Sequence, residues 1–389
     1  MNRAMQTTDL RIALFSGNYN YVRDGANRAL NRLVDYLLRQ GAHVRVYSPT
    51  TDTPAFEPAG DLVSVKSMPV PFGRAEYRIA YGLPRAVRDD LEHFAPNIVH
   101  VSSPDILGHR AVSWARRRLI PVLASAHTRF DTYLRYYHMG FAEPAMTAAL
   151  RRFYRRCNAV VAPSESFAQV MRDQRMNYDI SLWERGIDAQ AFNPQARDMA
   201  WRRGLGLGDD EVAIGFLGRL VMEKGLDVVA DSIAALAARG VPHRLLVVGE
   251  GPARDWLAAR MPQAIFTGYQ AGTDLSRAVA SMDMLFNPSV TESFGNVTLE
   301  AMACHLPVVA ARATGSVNLV LDGSTGRLIT PGDSEGYADA LAAYVIDPAL
   351  RAAHGGNALA ASRRYDWDSI NDVVLQTYLR LLHQRKLNG

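Results

Sequence analysis

The stretch RIALFSGNYNYVRDGANRALNRLVDYLLRQGAHVRVYS, residues 11–48, sets a pattern that most of the chain repeats. It begins with a short apolar run and ends with another, His43–Ser48. Between them, six apolar residues recur at helical spacing: Ala29, Leu30, Leu33, Val34, Leu37 and Leu38. Side chains three and four positions apart share one face of a helix, and Gly41 then stops the run. We therefore expect a strand, an amphipathic helix and a second strand.

The same alternation continues along the chain and predicts the fold class. In the first half we predict strands at 11–17, 43–48, 62–66, 98–101, 121–125, 159–162 and 180–183. In the second half we predict strands at 212–217, 244–248, 264–267, 284–287, 307–310 and 327–329. Strands that alternate with helices favour parallel sheets with helices on both faces. The series restarts after the irregular segment 183–198, so we expect an α/β chain of two doubly wound domains that face a cleft.

Size and composition exclude several classes of protein. The chain has 389 residues, of which 48% are hydrophobic and 21% charged, which indicates globular domains. No apolar run approaches the ~20 residues that a membrane-spanning helix needs. The N-terminal sequence predicts no secretory signal. The two cysteines, Cys157 and Cys304, form no metal-ligand pattern, so we expect a reduced, cytoplasmic setting.

Positive charge is concentrated in one part of the chain. The net charge is only +4, yet residues 108–156 hold ten arginines against two acidic residues, Asp131 and Glu143. Such a stretch attracts the phosphates of lipids, nucleotides or nucleic acid.

Two cations follow a predicted strand in GFLGRLVMEKGLD. Gly218 allows the backbone to approach a ligand closely, and Arg219 and Lys224 could clamp a diphosphate. The stretch matches neither the P-loop nor the dinucleotide fingerprint. The alternative is therefore an ordinary strand-to-helix turn with solvated charges.

Two glutamates, Glu292 and Glu300, lie eight positions apart in VTESFGNVTLEAM. A helix is expected to begin near Gly295 or Asn296, which leaves the amides of Gly295, Asn296 and Val297 free to bind an anion. Carboxylates are good acceptors for the hydroxyls of a ribose and of a sugar. The combination favours a sugar nucleotide as ligand. The alternative is that Glu300 only complements the helix dipole.

The first half offers two further candidates. His127 follows the predicted strand at 121–125 and precedes Arg129 and Asp131, although a lone histidine is more often structural. Gly25 immediately precedes the first helix, whose amides could receive a phosphate or an acceptor.

Two negative observations limit the chemistry. The acidic pair in Asp366–Trp367–Asp368 is expected to cap the last helix rather than to bind a metal. No Ser-His-Asp or Cys-His spacing supports a covalent hydrolase.

Together these motifs resemble a family-4 retaining glycosyltransferase with the GT-B fold. The resemblance covers nearly the whole chain. Its most specific part is the pair of glutamates in ESFGNVTLEA. Five other stretches also match, in the order in which the family has them: RGIDAQAFNP, GRLVMEKG, VGEGP, TGY and ATGSVNLVLDGSTGRLI. It implies two Rossmann-like domains facing a cleft, residues 1–194 on the acceptor side and 195–365 on the nucleotide-sugar side. A C-terminal helix, 366–389, would return to the first domain.

The resemblance implies a role for each matched residue. Arg219 and Lys224 would bind the donor diphosphate, Glu292 would contact the hydroxyls of the transferred sugar, and His127 would lie beside the reacting sugar. Further donor contacts are expected from Gly25, Gly218, Tyr269, Phe294, Gly295, Asn296, Val297 and Glu300. No metal or other cofactor is implied. The cations would stabilise the departing diphosphate, and no protein nucleophile is required.

The stretches HTRFDTYLRYY and WERGID most resemble the branch that glycosylates lipids, including diacylglycerol mannosyl-, glucuronosyl- and sulfoquinovosyltransferases. The implied partners are a nucleotide sugar, with a UDP-sugar slightly favoured over GDP-mannose, and a lipid such as diacylglycerol or a sphingolipid. The enzyme would rest on the inner, anionic face of the cytoplasmic membrane, and nucleic acid is not expected as a partner. Residues on the membrane and acceptor side would be Arg116, Arg117, Arg118, Arg129, Tyr133, Tyr136, Tyr137, Arg151 and Arg152. The alternative for these arginines is a solvated helix face.

Three other functions remain open from sequence. A nucleotide-sugar epimerase could share the architecture but would need its own acid and base. A nicotinamide oxidoreductase would need a G-x-G-x-x-G motif after the first strand, and Gly17 and Gly25 are too far apart to form it. A non-catalytic lipid-binding protein is disfavoured because the candidate donor residues are all present.

Overall fold

A computed structural model describes residues 5–22, 24–70, 77–127, 140–313 and 315–388. The chain divides into two compact units, Met1–Arg185 with Trp367–Gly389, and Gly186–Asp366. We call them unit 1 and unit 2. The predictions made for Arg129, Tyr133, Tyr136 and Tyr137 lie outside the described residues.

Unit 1 is built around a parallel sheet. Its elements are β1 Arg11–Phe15, α1 Gly25–Arg39, β2 His43–Ser48, β3 Asp61–Ser64, β4 Ser67–Pro69, β5 Arg78–Ala80, α2 Arg85–Phe94, β6 Ile98–Val101, α3 Ile106–Arg117, β7 Val122–Ser125, α4 Glu143–Tyr154, β8 Ala159–Ala162, α5 Glu165–Asp173 and β9 Ile180–Leu182. The strand order is β3-β2-β1-β6-β7-β8-β9, with parallel pairing throughout. Strands β6, β7 and β8 are wholly buried, as expected of parallel strands covered on both faces.

Helix α1 shows how sequence sets the local structure. The Asp24 side chain accepts a hydrogen bond from the Asn27 amide at 2.7 Å, so this residue caps the helix start. The predicted apolar positions lie on the buried face with one exception, because Leu38 at the last turn is 40% exposed. The small antiparallel pair of β4 and β5 was not predicted. Each of these strands has three residues, which is too short for an alternating pattern to show.

Unit 2 is also built around a parallel sheet. Its elements are α6 Met199–Gly204, β10 Ala213–Leu217, α7 Leu226–Ala238, β11 Arg244–Val248, α8 Arg254–Arg260, β12 Ile265–Phe266, α9 Gly272–Ala280, β13 Met284–Asn287, α10 Asn296–Ala303, β14 Val308–Ala311, α11 Ser316–Leu319, β15 Gly326–Ile329, α12 Ser334–Ile346 and α13 Pro348–Ser362. The strand order is β12-β11-β10-β13-β14-β15. The direction of winding reverses between β10 and β13. Ligands of doubly wound sheets bind at the carboxyl ends of the strands at such a reversal.

The last helix, α14 Trp367–Asn388, belongs to unit 1. Asp368, predicted to cap this helix, forms a two-pronged ion pair with Arg39 of α1. Farther along, Asn371 accepts a hydrogen bond from the indole of Trp183 at 3.0 Å. Among the described residues, no helix combines the length and apolar character needed to cross a bilayer.

Candidate active site

The loops after β10 and β13 meet at the winding reversal of unit 2. The first loop contains a short 3-10 turn, Met222–Lys224, and the second contains Glu292. Lys224 Nζ lies 2.6 Å from Glu292 Oε1, and both side chains are partly buried. The two residues that the resemblance assigns to the diphosphate and to the sugar are therefore in direct contact.

Close packing holds the loop after β10 in place. The Gly218 amide donates to Val248 O at 3.0 Å, and the Leu220 amide donates to Glu250 O at 2.9 Å. Gly249 lies where a Cβ atom would stand 1.9 Å from Gly218 O, so a side chain has no room there. This explains the first glycine of VGEGP. Arg219, which follows Gly218, is exposed.

Helix α10 begins at Asn296, as the sequence predicts. Gly295 precedes it with a φ of +105°, a conformation that glycine adopts readily. No described side chain caps this end, so amides of the first turn are available to an anion. Asn287, the last residue of β13, donates to Thr298 Oγ1 at 3.2 Å and ties the helix start to the strand end.

The other predicted donor residues of unit 2 occupy different environments. Glu300 is half-buried on α10, about one turn after its start. Tyr269 is 59% exposed on the loop after β12. Phe294 is buried, with its ring centroid 5.7 Å from that of Tyr365. Contact of Phe294 with a donor is thus expected through its backbone.

In unit 1, His127 is held in a chain of hydrogen bonds. An Arg185 guanidinium nitrogen lies 2.9 Å from His127 Nδ1, and His127 Nε2 lies 2.9 Å from Ser125 Oγ. Ser125 Oγ is 2.9 Å from His100 Nε2, and His100 Nδ1 contacts the Tyr378 hydroxyl of α14. A guanidinium can only donate, so Nδ1 of His127 accepts and Nε2 carries the proton. The imidazole is thereby fixed in one neutral tautomer.

Arg185 is the residue that sequence reasoning missed. It occurs in the WERGID motif, but its role depends on three-dimensional contacts with His127 and with Trp183, over whose ring it lies at 5.0 Å. It is only 5% exposed. Burial lowers the pKa of Arg185 to about 10, with Asp24 acting in the opposite direction. Burial, followed by Arg185 and His100, lowers the pKa of His127 well below its ordinary value.

We expect the buried histidine His100 to make the free energy of unfolding depend on pH. Burial lowers its pKa from 6.5 to about 3. Between these values the unfolded chain binds more protons at this site than the folded chain. Stability is therefore lost as the pH falls below the unfolded pKa, by roughly 2 kcal/mol at pH 5 for this one residue. Denaturant unfolding of wild type and His100→Gln at pH 7 and pH 5 measures the effect. Parallel losses in the two proteins would contradict it.

The remaining candidates of unit 1 are placed as follows. Gly25 is the first residue of α1, beside the capping Asp24. Several of the predicted membrane-side arginines have partners within unit 1. Arg116 donates to Arg156 O at 3.1 Å, Arg118 pairs with Glu92 at 2.7 Å, and Arg151 donates to Gln174 O at 2.7 Å. Arg117 and Arg152 lie exposed near the ends of α3 and α4.

The described part of the chain groups few metal ligands and buries both of its thiols. Within the described ranges, no three His, Cys, Asp or Glu side chains are grouped so as to hold a metal ion. Both cysteines are buried and unpaired, and burial raises the pKa of each thiol to about 12.

Comparison with known proteins identifies the chain. The family model described as Glycosyltransferase Family 4 matches residues 23–191, and the model described as Glycosyl transferases group 1 matches residues 211–347. The GDP-mannose-dependent alpha-mannosyltransferase of Mycolicibacterium smegmatis is 32% identical over 98% of this chain and 100% of its own length. The sulfoquinovosyl transferase SQD2 of Arabidopsis thaliana is 30% identical, over 92% of this chain and 71% of its own length. The structure of sucrose-phosphate synthase from Thermosynechococcus elongatus superposes with a TM-score of 0.77 at 21% identity, covering 96% of this chain and 99% of that one.

The protein is therefore an enzyme, a glycosyltransferase of the GT-B fold that uses a nucleotide sugar. It belongs to glycosyltransferase family 4. The fold class and the resemblance to the branch of mannosyl- and sulfoquinovosyltransferases, both predicted from sequence, are confirmed.

Proposed function

We propose that the enzyme transfers a hexosyl or hexuronosyl group from a nucleotide sugar to a membrane lipid such as diacylglycerol or a sphingolipid. Unit 2 would bind the donor, and unit 1 would bind the acceptor. The observation that carries the donor assignment is the Lys224–Glu292 contact at the winding reversal, beside the uncapped start of α10. Cation, carboxylate and free amides there match the diphosphate and hydroxyls of one ligand.

The geometry supports a simple division of work. Lys224 neutralises Glu292, which keeps both partly buried charges in place. With donor bound, Lys224 and Arg219 would stabilise the charge that develops on the diphosphate as its bond to the sugar breaks. Glu292 and Glu300 would accept hydrogen bonds from sugar and ribose hydroxyls. The acceptor oxygen bonds to the sugar carbon, and its proton passes to an oxygen of the leaving phosphate. The retained configuration is expected from the family resemblance alone.

His127 would act on the acceptor side of this reaction. Because its tautomer is fixed by Arg185, we propose a role in positioning substrate and not in proton transfer. This use of His127 agrees with a mechanism in which the donor's own phosphate takes the proton.

The donor is proposed to be GDP-mannose. The sequence slightly favoured a UDP-sugar, whereas the Mycolicibacterium relative, matched over its whole length, is named for GDP-mannose. A ligand that binds only the folded state stabilises it by about 2.7 kcal/mol at a concentration of 100 times its Kd. We expect GDP and GDP-mannose to raise the melting temperature, and UDP, UDP-glucose and UDP-glucuronate to raise it less. The opposite order would reassign the donor to a UDP-sugar.

The acceptor is supported by the lipid-glycosylating resemblance and by the cationic stretch of unit 1. Incubation of donor with diacylglycerol or ceramide in mixed micelles, followed by product analysis, tests it. A glycolipid product supports the proposal. An isomerised nucleotide sugar would favour the epimerase alternative, and a product formed only on soluble sugars would contradict the lipid acceptor.

A further inference from the structure

A cationic pocket of about 500 Å³ lies in unit 1 at the start of α3. Its principal lining residues are Asp105, Ile106, His109, Arg110, Ser113 and Arg156. We call it the α3 pocket. Arg110 and Arg156 both lie in the arginine-rich stretch 108–156, but neither is among the residues named individually for the membrane side, and neither belongs to the donor site of unit 2.

The charges of the α3 pocket favour an anion. Arg156 donates to Ser113 Oγ at 2.6 Å, which orients its guanidinium, and Arg110 is exposed. Neither arginine has a carboxylate partner among the residues that the structure describes. Burial lowers the pKa of His109, and Arg156 lowers it further, while Asp105 acts in the opposite direction.

The carboxylate of Asp105 offsets only part of this charge, because one carboxylate faces two guanidinium groups. Its Oδ1 accepts from the Gly108 amide at 2.7 Å, and its Oδ2 accepts from Ser103 Oγ at 2.7 Å. Asp105 thus caps α3 and is committed to the helix start. Two guanidinium groups are left facing an open, polar space.

An exposed apolar side chain lines the α3 pocket, and a second adjoins the glycine that lies against Arg110. Ile106 is 49% exposed and forms part of the lining. Tyr81 is 56% exposed, and its neighbour Gly82 packs against the stem of Arg110. A Cβ atom at Gly82 would lie 3.2 Å from Arg110 Cγ. Cationic groups beside exposed apolar groups are the combination that binds the surface of an anionic membrane.

We propose that the α3 pocket binds the phosphate of an anionic phospholipid headgroup, with Arg110 and Arg156 as its cationic ligands. Ile106 and Tyr81 would contact the lipid below that headgroup. The inference rests on the proposed transfer to a membrane lipid, and it adds the chemical group by which unit 1 meets the membrane. Arg118 differs from these two arginines, because its guanidinium group is paired with the carboxylate of Glu92.

Co-sedimentation with vesicles tests the proposal. The proteins are wild type, Arg110→Gln, Arg156→Gln and the double variant, and the matched control is Lys386→Gln, which removes one charge from the exposed end of α14. The vesicles are phosphatidylcholine alone or phosphatidylcholine with phosphatidylglycerol. We expect affinity for the anionic vesicles to fall about fivefold for each arginine removed. The control should stay close to wild type.

The arms of the experiment distinguish the possible outcomes. Equal affinity of wild type and the double variant for anionic vesicles would overturn the proposal. Inorganic phosphate that raises the melting temperature of wild type only, without any difference in vesicle binding, would show a site for free phosphate and would also overturn it. Arg110→Gln keeps the test valid if Arg156→Gln misfolds, because the Arg110 side chain forms no hydrogen bond with the described residues. Donor-induced stabilisation of the same variants shows independently whether the proposed transfer site in unit 2 is intact.

Discussion

Replacing Lys224 with alanine is expected to lower kcat for sugar transfer by about 100- to 1,000-fold, the cost of removing one group that stabilises developing charge. The Lys224 ammonium group is the cation in contact with Glu292, and no second lysine occurs in the loop after β10. The substitution removes a positive charge that would stabilise the leaving diphosphate, and it leaves Glu292 without this partner. The measurement is steady-state transfer to lipid, with circular dichroism to verify the fold.

Two control variants make the first prediction specific. Lys66→Ala removes an exposed lysine of unit 1 and should keep the wild-type rate. Lys224→Arg retains the charge but not the compact ammonium group, so it should recover only part of the activity. A rate for Lys224→Ala within a fewfold of wild type would show that this lysine does not stabilise the leaving group.

Replacing Asp283 with alanine is expected to reduce the free energy of unfolding by about 3–5 kcal/mol, the usual cost of removing one partner of a buried ion pair. Asp283 Oδ2 lies 3.1 Å from a guanidinium nitrogen of Arg202, which is fully buried. The same oxygen accepts from the Ala213 amide at 2.7 Å, and Oδ1 lies 2.7 Å from Arg197. Denaturant unfolding measures the loss.

The exposed ion pair between Arg203 and Asp209 provides the matched control for this network. Its two side chains are mostly in solvent, so Asp209→Ala should leave the unfolding midpoint nearly unchanged. If Asp283→Ala lowered the free energy of unfolding as little as Asp209→Ala, the prediction would be contradicted. The carbonyls of Ser281 and Glu211 would then be enough to satisfy the buried Arg202 charge.

Much of the fold could be predicted from the sequence, because buried parallel strands consist of short runs of apolar residues. All thirteen predicted strands are present, with ends that differ by at most two residues, as at β1, predicted to reach Gly17 but ending at Phe15. The strand order within each sheet could not be derived, because pairing depends on contacts between residues far apart in the chain. The pair of β4 and β5 was missed for a different reason, its short length.

Some residues of the candidate site could also be predicted from the sequence, and others could not. Lys224 and Glu292 were predicted from local motifs at strand ends, and parallel topology then places strand ends together. The places of Arg185 and His100 in the site could not be predicted, because they depend on hydrogen bonds to residues far away in the sequence, such as Tyr378. A buried arginine or histidine has no sequence signature that separates it from an exposed one.

The central claim is that the donor diphosphate binds between the loops after β10 and β13. Its most direct test is calorimetric titration of the stabilising donor into wild type and Lys224→Ala, with Lys66→Ala alongside. The account predicts measurable binding to wild type and Lys66→Ala, and binding to Lys224→Ala weakened by an order of magnitude or more. Equal donor affinity in all three proteins would contradict it.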